Sequence, residues 1–297
     1  MADRHASLGV VVVHYQTPGS LQRCVASVLQ DPSRAARRVV VVDNSDTPGS
    51  TLVSGDLPPG VILLFSPDNP GFGAGANRGV QRLKELERLA AYVILNADVE
   101  LLPGYLDAAL DALRNGVGAA AGPIYLDEPG GPLWYAGGGL SLLTGTVKQS
   151  KDPAAARQSR EVAFIPGTAM ALAAGAWEDV GGFSPDIFLY HEDLDLCMRM
   201  RRAGWKLWFA PAMKIVHHLG QATGSSERSS FYLEHMAKTR LRPYRSRLYK
   251  MYLAVIHGTY VLSRALAYTV RGGPGDRERA RSLLRGHRAA VREIWHK

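Results

Sequence analysis

At 297 residues and 32.2 kDa, 46% hydrophobic and 21% charged, the chain has room for one sizeable core plus an appendage. That composition excludes a disordered chain, a coiled coil and a polytopic membrane protein, and two cysteines, Cys24 and Cys197, exclude a disulfide framework or a four-thiolate metal site. The net charge of +8 is unevenly spread: residues 227–297 hold 16 Lys+Arg against 5 Asp+Glu and the first 226 hold 19 against 22, so a basic docking tail follows a slightly acidic body.

The opening MADRHASL lacks the long apolar stretch of a signal peptide, which with the two thiols predicts a reducing, cytoplasmic location. Residues 8–15, 37–44, 61–65 and 91–98 are short β-branched runs, apolar at consecutive positions, and read as strands buried on both faces. Helices are expected at about 20–30 and 74–90 between them, the alternation of a parallel α/β sheet. Pro103 predicts a helix with proline in its first turn, followed by one strand over 116–125. The glycine-rich and polar stretch 127–160 reads as strands around a mobile loop near the active face. A strand-like AFIPGTAMALAA, a helix from HEDLDLC and a strand-like KLWFAPAMKIVHH follow, and the enzyme-like pattern stops near Gly224.

The tail has its own pattern. Residues 251–270 contain Arg264 as their one Lys, Arg, Asp or Glu and are long enough to be a span candidate, although His257 and Gly258 lower their hydrophobicity. Beyond the GGPG break, Leu284, Val291, Ile294 and Trp295 fall on one helical face among arginines. Such a helix suits an anionic membrane surface; the alternative is packing on the catalytic domain or on a second copy in a homodimer.

Several strand ends carry candidate chemistry. Asp43 follows a buried strand, where a carboxylate meets a ribose or base, or merely opens a turn with Asn44 and Ser45. Glycines 71, 73, 75 and 79 in PDNPGFGAGANRG let backbone N–H groups approach an anion at a helix start. Their spacing fits a dinucleotide fingerprint, but after the third strand, not the first. Asn96 and Asp98 end a strand, a place for a divalent-ion ligand or for a plain turn. Glu192, Asp193 and Asp195 crowd one helical turn, which suits a general base of raised pKa or ordinary capping; Asp195 and Arg199 are spaced to pair. His217 and His218 point to opposite sides of a strand, so at most one reaches a site, where an imidazole beside a carboxylate favours manganese over magnesium.

The order of these elements resembles glycosyltransferase family 2, most specifically in NPGFGAGANRG, VILNADV and GGFSPDIFLYHEDLDLCMRMRRAGW, and within it the bacterial rhamnosyltransferases of cell-wall and O-antigen assembly. The resemblance covers residues 8–224 and implies an α/β GT-A fold over 1–226, with a helical, membrane-associating region over 227–297. It further implies a nucleotide-sugar donor (dTDP-L-rhamnose or a UDP-sugar), inversion at the anomeric carbon, and a saccharide or polyprenyl-diphosphate-linked acceptor at the inner face of the membrane. In that reading His14, Tyr15 and Asp43 lie at the nucleobase, and Asn69, Gly71, Phe72 and Asn77 line the donor site. Asn96 stands where the family's first metal-site aspartate is expected, Asp98 and His217 hold Mn2+ or Mg2+, and Asp193 is the base with Glu192 in reserve. Nucleic acid is not an expected partner; in the alternative that it is, Tyr244, Tyr249 and Tyr252 would stack bases.

Overall fold

Residues 10–13, 39–42 and 93–95 are apolar at every position because both faces of their strands are covered. β1 (Leu8–His14), α1 (Pro18–Gln30), β2 (Arg37–Asp43), β3 (Val61–Phe65), α2 (Phe72–Leu86) and β4 (Ala91–Asn96) make the parallel half of the sheet. The computed structural model describes residues 7–33, 35–45, 52, 54–218 and 229–296, so the boundary expected at 226 lies outside the described residues.

The chain continues through β5 (Val99–Leu101), α3 (Tyr105–Ala112), β6 (Val117–Ala121), β7 (Ile124–Leu126), β8 (Leu133–Tyr135), β9 (Gly138–Ser141), β10 (Thr146–Gln149) and β11 (Arg160–Glu161). Then come β12 (Ala169–Ala173), α4 (Ala174–Val180), α5 (Glu192–Arg202), β13 (Lys206–Phe209), β14 (Ile215–His217), α6 (Ser230–Thr239), α7 (Arg247–Arg271) and α8 (Asp276–His296). Among the described residues the main sheet runs β11-β13-β6-β12-β4-β1-β2-β3, with β12 antiparallel to both β4 and β6. A second sheet, β5-β14-β7-β8, and the β9–β10 hairpin complete the body.

Two expected single strands each divide between the sheets. The run 116–125 breaks at Gly122 into β6 and β7; a Cβ there would lie 2.2 Å from the Met213 carbonyl oxygen, so only glycine lets the two chains pass. KLWFAPAMKIVHH breaks beside it into β13 and β14. The helix expected from Pro103 starts at Tyr105, because Gly104 takes a left-handed N-cap conformation (φ 87°) and leaves the proline outside. The helix expected at 74–90 spans residues 72–86.

The glycines of 71–79 serve packing rather than an anion, a correction to the sequence reading. Cβ atoms at Gly73, Gly75 and Gly79 would collide with Phe183, Asn44 and Val11 side chains, so α2 lies unusually close to β1 and to the 181–183 turn. The Phe72 N–H, at the helix start, donates to the Phe188 carbonyl (3.3 Å). Gly71 has φ +91°, and a Cβ there would sit 2.0 Å from the same oxygen. Gly71→Ala is therefore expected to destabilise by at least ~1–3 kcal/mol, the cost of the backbone conformation alone, seen as a lowered urea midpoint.

The three C-terminal helices pack on the body and on one another. Leu233, Val261, Ala265, Tyr268, Ala280 and Leu283 form one small core, and Leu241, Tyr244, Leu253, Ala290 and Ile294 a second that reaches Met198 of α5. Gly286 lets α8 press on α6, since a Cβ would lie 2.2 Å from the Glu234 carbonyl. The face of α8 read as a membrane-binding face is turned inward here: Ile294 is buried, Leu284 and Val291 are half-buried, and Trp295 is exposed. The β9–β10 hairpin, read as part of a mobile loop, is gripped by hydroxyls of Tyr244, Tyr249 and Tyr252, which donate to the carbonyls of Gly145, Leu142 and Leu143. Those tyrosines are thus engaged within the fold. No described helix is long and apolar enough to cross a membrane.

Candidate active site

The carboxyl ends of the parallel strands converge by register: His14 pairs with Asp43, and Val13 with Asn96. Ligands of open α/β sheets bind beyond such ends. His14 and Asp43 are both fully buried, with His14 Nδ1 2.9 Å from Asp43 Oδ1. Because His14 Nε2 accepts from the Thr17 N–H (2.9 Å), Nδ1 carries the proton and donates to Asp43. Asp43 also accepts from the backbone N–H of Ser45 (3.0 Å) and Leu52 (2.8 Å). Burial would raise its pKa, but these hydrogen bonds, led by His14, outweigh it and hold the carboxyl below its ordinary value. The pair therefore holds the backbone at Ser45 and Leu52; Tyr15, half-buried, follows His14.

On the α2 side, Arg78 clasps Asp68 through two hydrogen bonds of 2.6 Å each, and Asn69 adopts φ 37° in the turn they hold. Asn77 uses each end of its amide once on the Phe183 backbone (2.8 and 2.9 Å) and so clamps the 181–183 turn. Phe72 lies edge-on to Phe183, and its ring and Asp193 flank Gly167 from two sides.

Asn96 ends β4 with its N–H on the Thr168 carbonyl (3.0 Å), and two residues later Asp98 is 4% exposed. His217, on β14, places Nε2 3.2 Å from Asp98 Oδ1, while Trp134 packs edge-on against its ring. His218 turns the other way to Glu100 (2.9 Å), as strand alternation requires. Asp98 Oδ1 is buried, has no hydrogen-bond partner and faces Nε2 of His217, whose unpartnered Nδ1 points away from it. An anionic oxygen and an imidazole this close, without a hydrogen bond between them, fit two ligands of a divalent cation. Among the described residues no cluster of three or more His, Cys, Asp or Glu could hold one, so the rest of the coordination shell would come from substrate and water.

Asp193 and Glu192 open α5 and differ sharply. Asp193 is half-buried; Oδ2 accepts from the Gly167 N–H (3.1 Å) and Oδ1 from the Leu194 N–H (2.7 Å). Desolvation nevertheless raises its pKa to about 6. Glu192 is 7% exposed, one carboxyl oxygen has no partner, and burial together with the Asp193 charge pushes its pKa well above the ordinary value. Burial, then, and not crowding by three acids, leads both shifts: Asp195 points away onto Arg199 (2.7 Å). Since Gly167 adjoins Thr168, which holds Asn96, Asp193 is tied to the strand end that leads to Asp98.

What the sequence did not disclose is the support behind this helix start. Tyr190 and His191 both have left-handed backbones (φ 65° and 66°) with no glycine to signal it. His191 Nδ1 donates to Thr239 Oγ1 (3.0 Å), whose own hydroxyl donates to the His235 carbonyl, and Tyr190 packs on Tyr232.

The raised value of Glu192 carries a stability signature. The protonated acid is favoured in the fold, so its contribution is complete below the ordinary carboxyl range and is lost as pH rises toward the elevated folded value. Glu192→Gln mimics the protonated form; it is expected to flatten this loss in thermal melts above pH 5 and to leave activity near normal.

A profile described as "Glycosyltransferase like family 2" matches residues 5–246. The chain belongs to this family. It is 30% identical over 250 residues to the N-acetylglucosaminyl-diphospho-decaprenol L-rhamnosyltransferase of Mycobacterium tuberculosis, covering 77% of this chain and 81% of that one. Among solved structures, it superposes on the mannosyltransferase PcManGT from Pyrobaculum calidifontis in complex with GDP-Man and Mn2+ (TM-score 0.56, 14% identity, 99% of this chain and 88% of that one). It also superposes on GalNAc-T7 with UDP, GalNAc and Mn2+ (TM-score 0.59, 17% identity, 80% and 48%). This family-2 protein therefore has the GT-A fold and is a glycosyltransferase, with the helices α7 and α8 added after the matched region.

Proposed function

We propose that the protein is an inverting, metal-dependent transferase that moves L-rhamnose from dTDP-L-rhamnose to a polyprenyl-diphosphate-linked or cell-surface saccharide; a UDP-sugar is the alternative donor. The observation that carries this reading is the division of labour at one sheet edge: a half-buried Asp193 with its pKa raised to about 6 beside the strand end that presents the Asp98–His217 pair. The rhamnose assignment draws on the 30% identical relative, and metal dependence on the buried, unpartnered Asp98 Oδ1 beside His217 Nε2.

Asp193, ionised, accepts the proton of the acceptor hydroxyl as that oxygen bonds to the anomeric carbon of the sugar and the bond to the nucleoside diphosphate breaks. The proton ends on Asp193 and the electron pair on the diphosphate. Asp98 and His217 would hold a Mn2+ or Mg2+ ion, whose charge offsets that of the departing diphosphate. Phe72 and Gly167 border the base, and the nucleobase would approach over the His14–Asp43 pair, near Tyr15, Asn69 and Gly71. Release of nucleotide from dTDP-L-rhamnose and a panel of UDP-sugars, with a lipid extract and with Mn2+, Mg2+ or chelator, tests this. Turnover of a UDP-sugar alone would overturn the rhamnosyl assignment; turnover of no activated sugar would overturn the whole reading.

A place on the inner membrane face is supported by α7. Leu248, Val255, Leu262, Leu266 and Val270 form a stripe along its outer side, each 62–78% exposed, next to the exposed hairpin residues Leu142 and Leu143. Arg245, Arg247 and Arg271 are exposed at the two ends of α7, and Arg288 and Arg292 are exposed on α8. An apolar stripe among arginines complements an anionic leaflet. Leu262→Asp with Leu266→Asp is expected to abolish co-flotation with phosphatidylglycerol vesicles without lowering thermal stability.

A further inference from the structure

Behind the start of α5, helices α6, α7 and α8 enclose a crevice of about 90 Å³, on the order of three water volumes, that no step above uses. Tyr232, Arg240, His257, Tyr260, Arg264 and His287 supply its polar lining, and no carboxylate borders it. Neither Arg240 nor Arg264 has a carboxylate partner among the described residues; Arg264 instead lies over the Tyr268 ring. A half-buried guanidinium usually finds an anion.

His257 supplies the second observation. It is 4% exposed, and its Nδ1 has no partner. Its Nε2 lies 2.9 Å from Arg240 Nε and 2.8 Å from the Thr144 carbonyl oxygen. One ring nitrogen cannot accept from a guanidinium and also donate to a carbonyl. With the crevice empty, one of these groups is always left short. An anion removes the conflict: Nε2–H donates to Thr144, while Nδ1–H and Arg240 both donate to the anion.

We propose that this crevice takes one phosphoryl group of a phosphate or diphosphate ester, held by Arg240, Arg264 and His257, and that in the cell this group belongs to the diphosphate of the lipid-linked acceptor. The second part rests on the transferase reading. Position supports it: Arg240 follows Thr239, which receives the His191 hydrogen bond, and His191 directly precedes Glu192 and Asp193. Tyr232 of the lining packs edge-to-face on Tyr190 at the same turn. On the opposite side of α7 from His257 lies the exposed apolar stripe, where a prenyl chain would run. The site thus lies between the catalytic base and the membrane-facing surface, where a saccharide–diphosphate–lipid must place its charged middle.

Calorimetric titration of the full chain with farnesyl diphosphate, farnesol and inorganic diphosphate, in chelator to silence the donor site, tests this. Farnesyl diphosphate is expected to bind, with affinity reduced at least tenfold in Arg264→Gln and in Arg240→Gln and unchanged in Asp98→Asn. Circular dichroism checks the fold of each variant, and Arg264→Gln decides if Arg240→Gln fails to fold. Binding undiminished in Arg264→Gln, or lost in Asp98→Asn, overturns the site. Inorganic diphosphate binding as tightly as the farnesyl ester overturns the lipid assignment and leaves an anion site. If the crevice binds but no activated sugar is turned over, it is the transferase reading that fails.

Discussion

Asp193→Asn is expected to lower turnover by about 10²- to 10⁴-fold at saturating donor and acceptor, the usual worth of a general base. Asn keeps an oxygen for the Gly167 or Leu194 N–H, so the helix start should persist, and donor binding should change little. The wild-type pH profile carries the same signature. Because burial lifts Asp193 to about 6, kcat/KM should rise with pH through that region, as the carboxyl ionises, and level off above it. Glu192 stays protonated while Asp193 ionises, so Glu192→Gln should leave the limb in place, while Asp193→Asn should erase it. Near-normal turnover in Asp193→Asn would transfer the role to another group.

The difference between Asp193 and Glu192 shows where sequence reasoning ends. Both stand in one turn of HEDLDLC, and spacing alone gives either a claim to the proton. What separates them is that Asp193 borders Gly167 and is only half-buried, whereas Glu192 turns inward. Burial of that kind depends on the strained Tyr190–His191 turn and on α6, neither of which has a local sequence mark. The strand ends were legible for the opposite reason: four-valine runs fix buried parallel strands, and sheet geometry then places His14, Asp43 and Asn96 at one edge. Glycine spacing was ambiguous, because an anion cradle and a close helix–strand contact ask for the same residue; Val11 against Gly79 and Phe183 against Gly73 decide for contact. In the tail, the periodicity of α8 announced a buried face without saying what covers it. Its apolar side is spent on α6 and α7, and it is the outward stripe of α7 that remains.

Asp98→Asn should act on the donor rather than on the base. Residues that merely orient metal ligands are worth about 10- to 100-fold in metal affinity or activity, so removing a charged ligand from a two-residue site should cost at least about 10²-fold in kcat/KM for the nucleotide sugar. His217→Ala removes the other half of the pair and opens space under Trp134, and should do the same. In both variants the activity left should be insensitive to chelator, whereas the wild type should lose most of its activity in chelator and regain it with added Mn2+ or Mg2+. Because Asn96, two residues earlier, brings no charge to this edge, the site is weakly anionic by itself. Cation binding is therefore expected to be weak in the free protein and to tighten when a nucleoside diphosphate is present, since the diphosphate oxygens supply the missing ligands. Titration of Mn2+ by its paramagnetic broadening, with and without dTDP or UDP, measures that coupling. Equal affinity in the two conditions would mean that the cation and the donor do not share the Asp98–His217 edge.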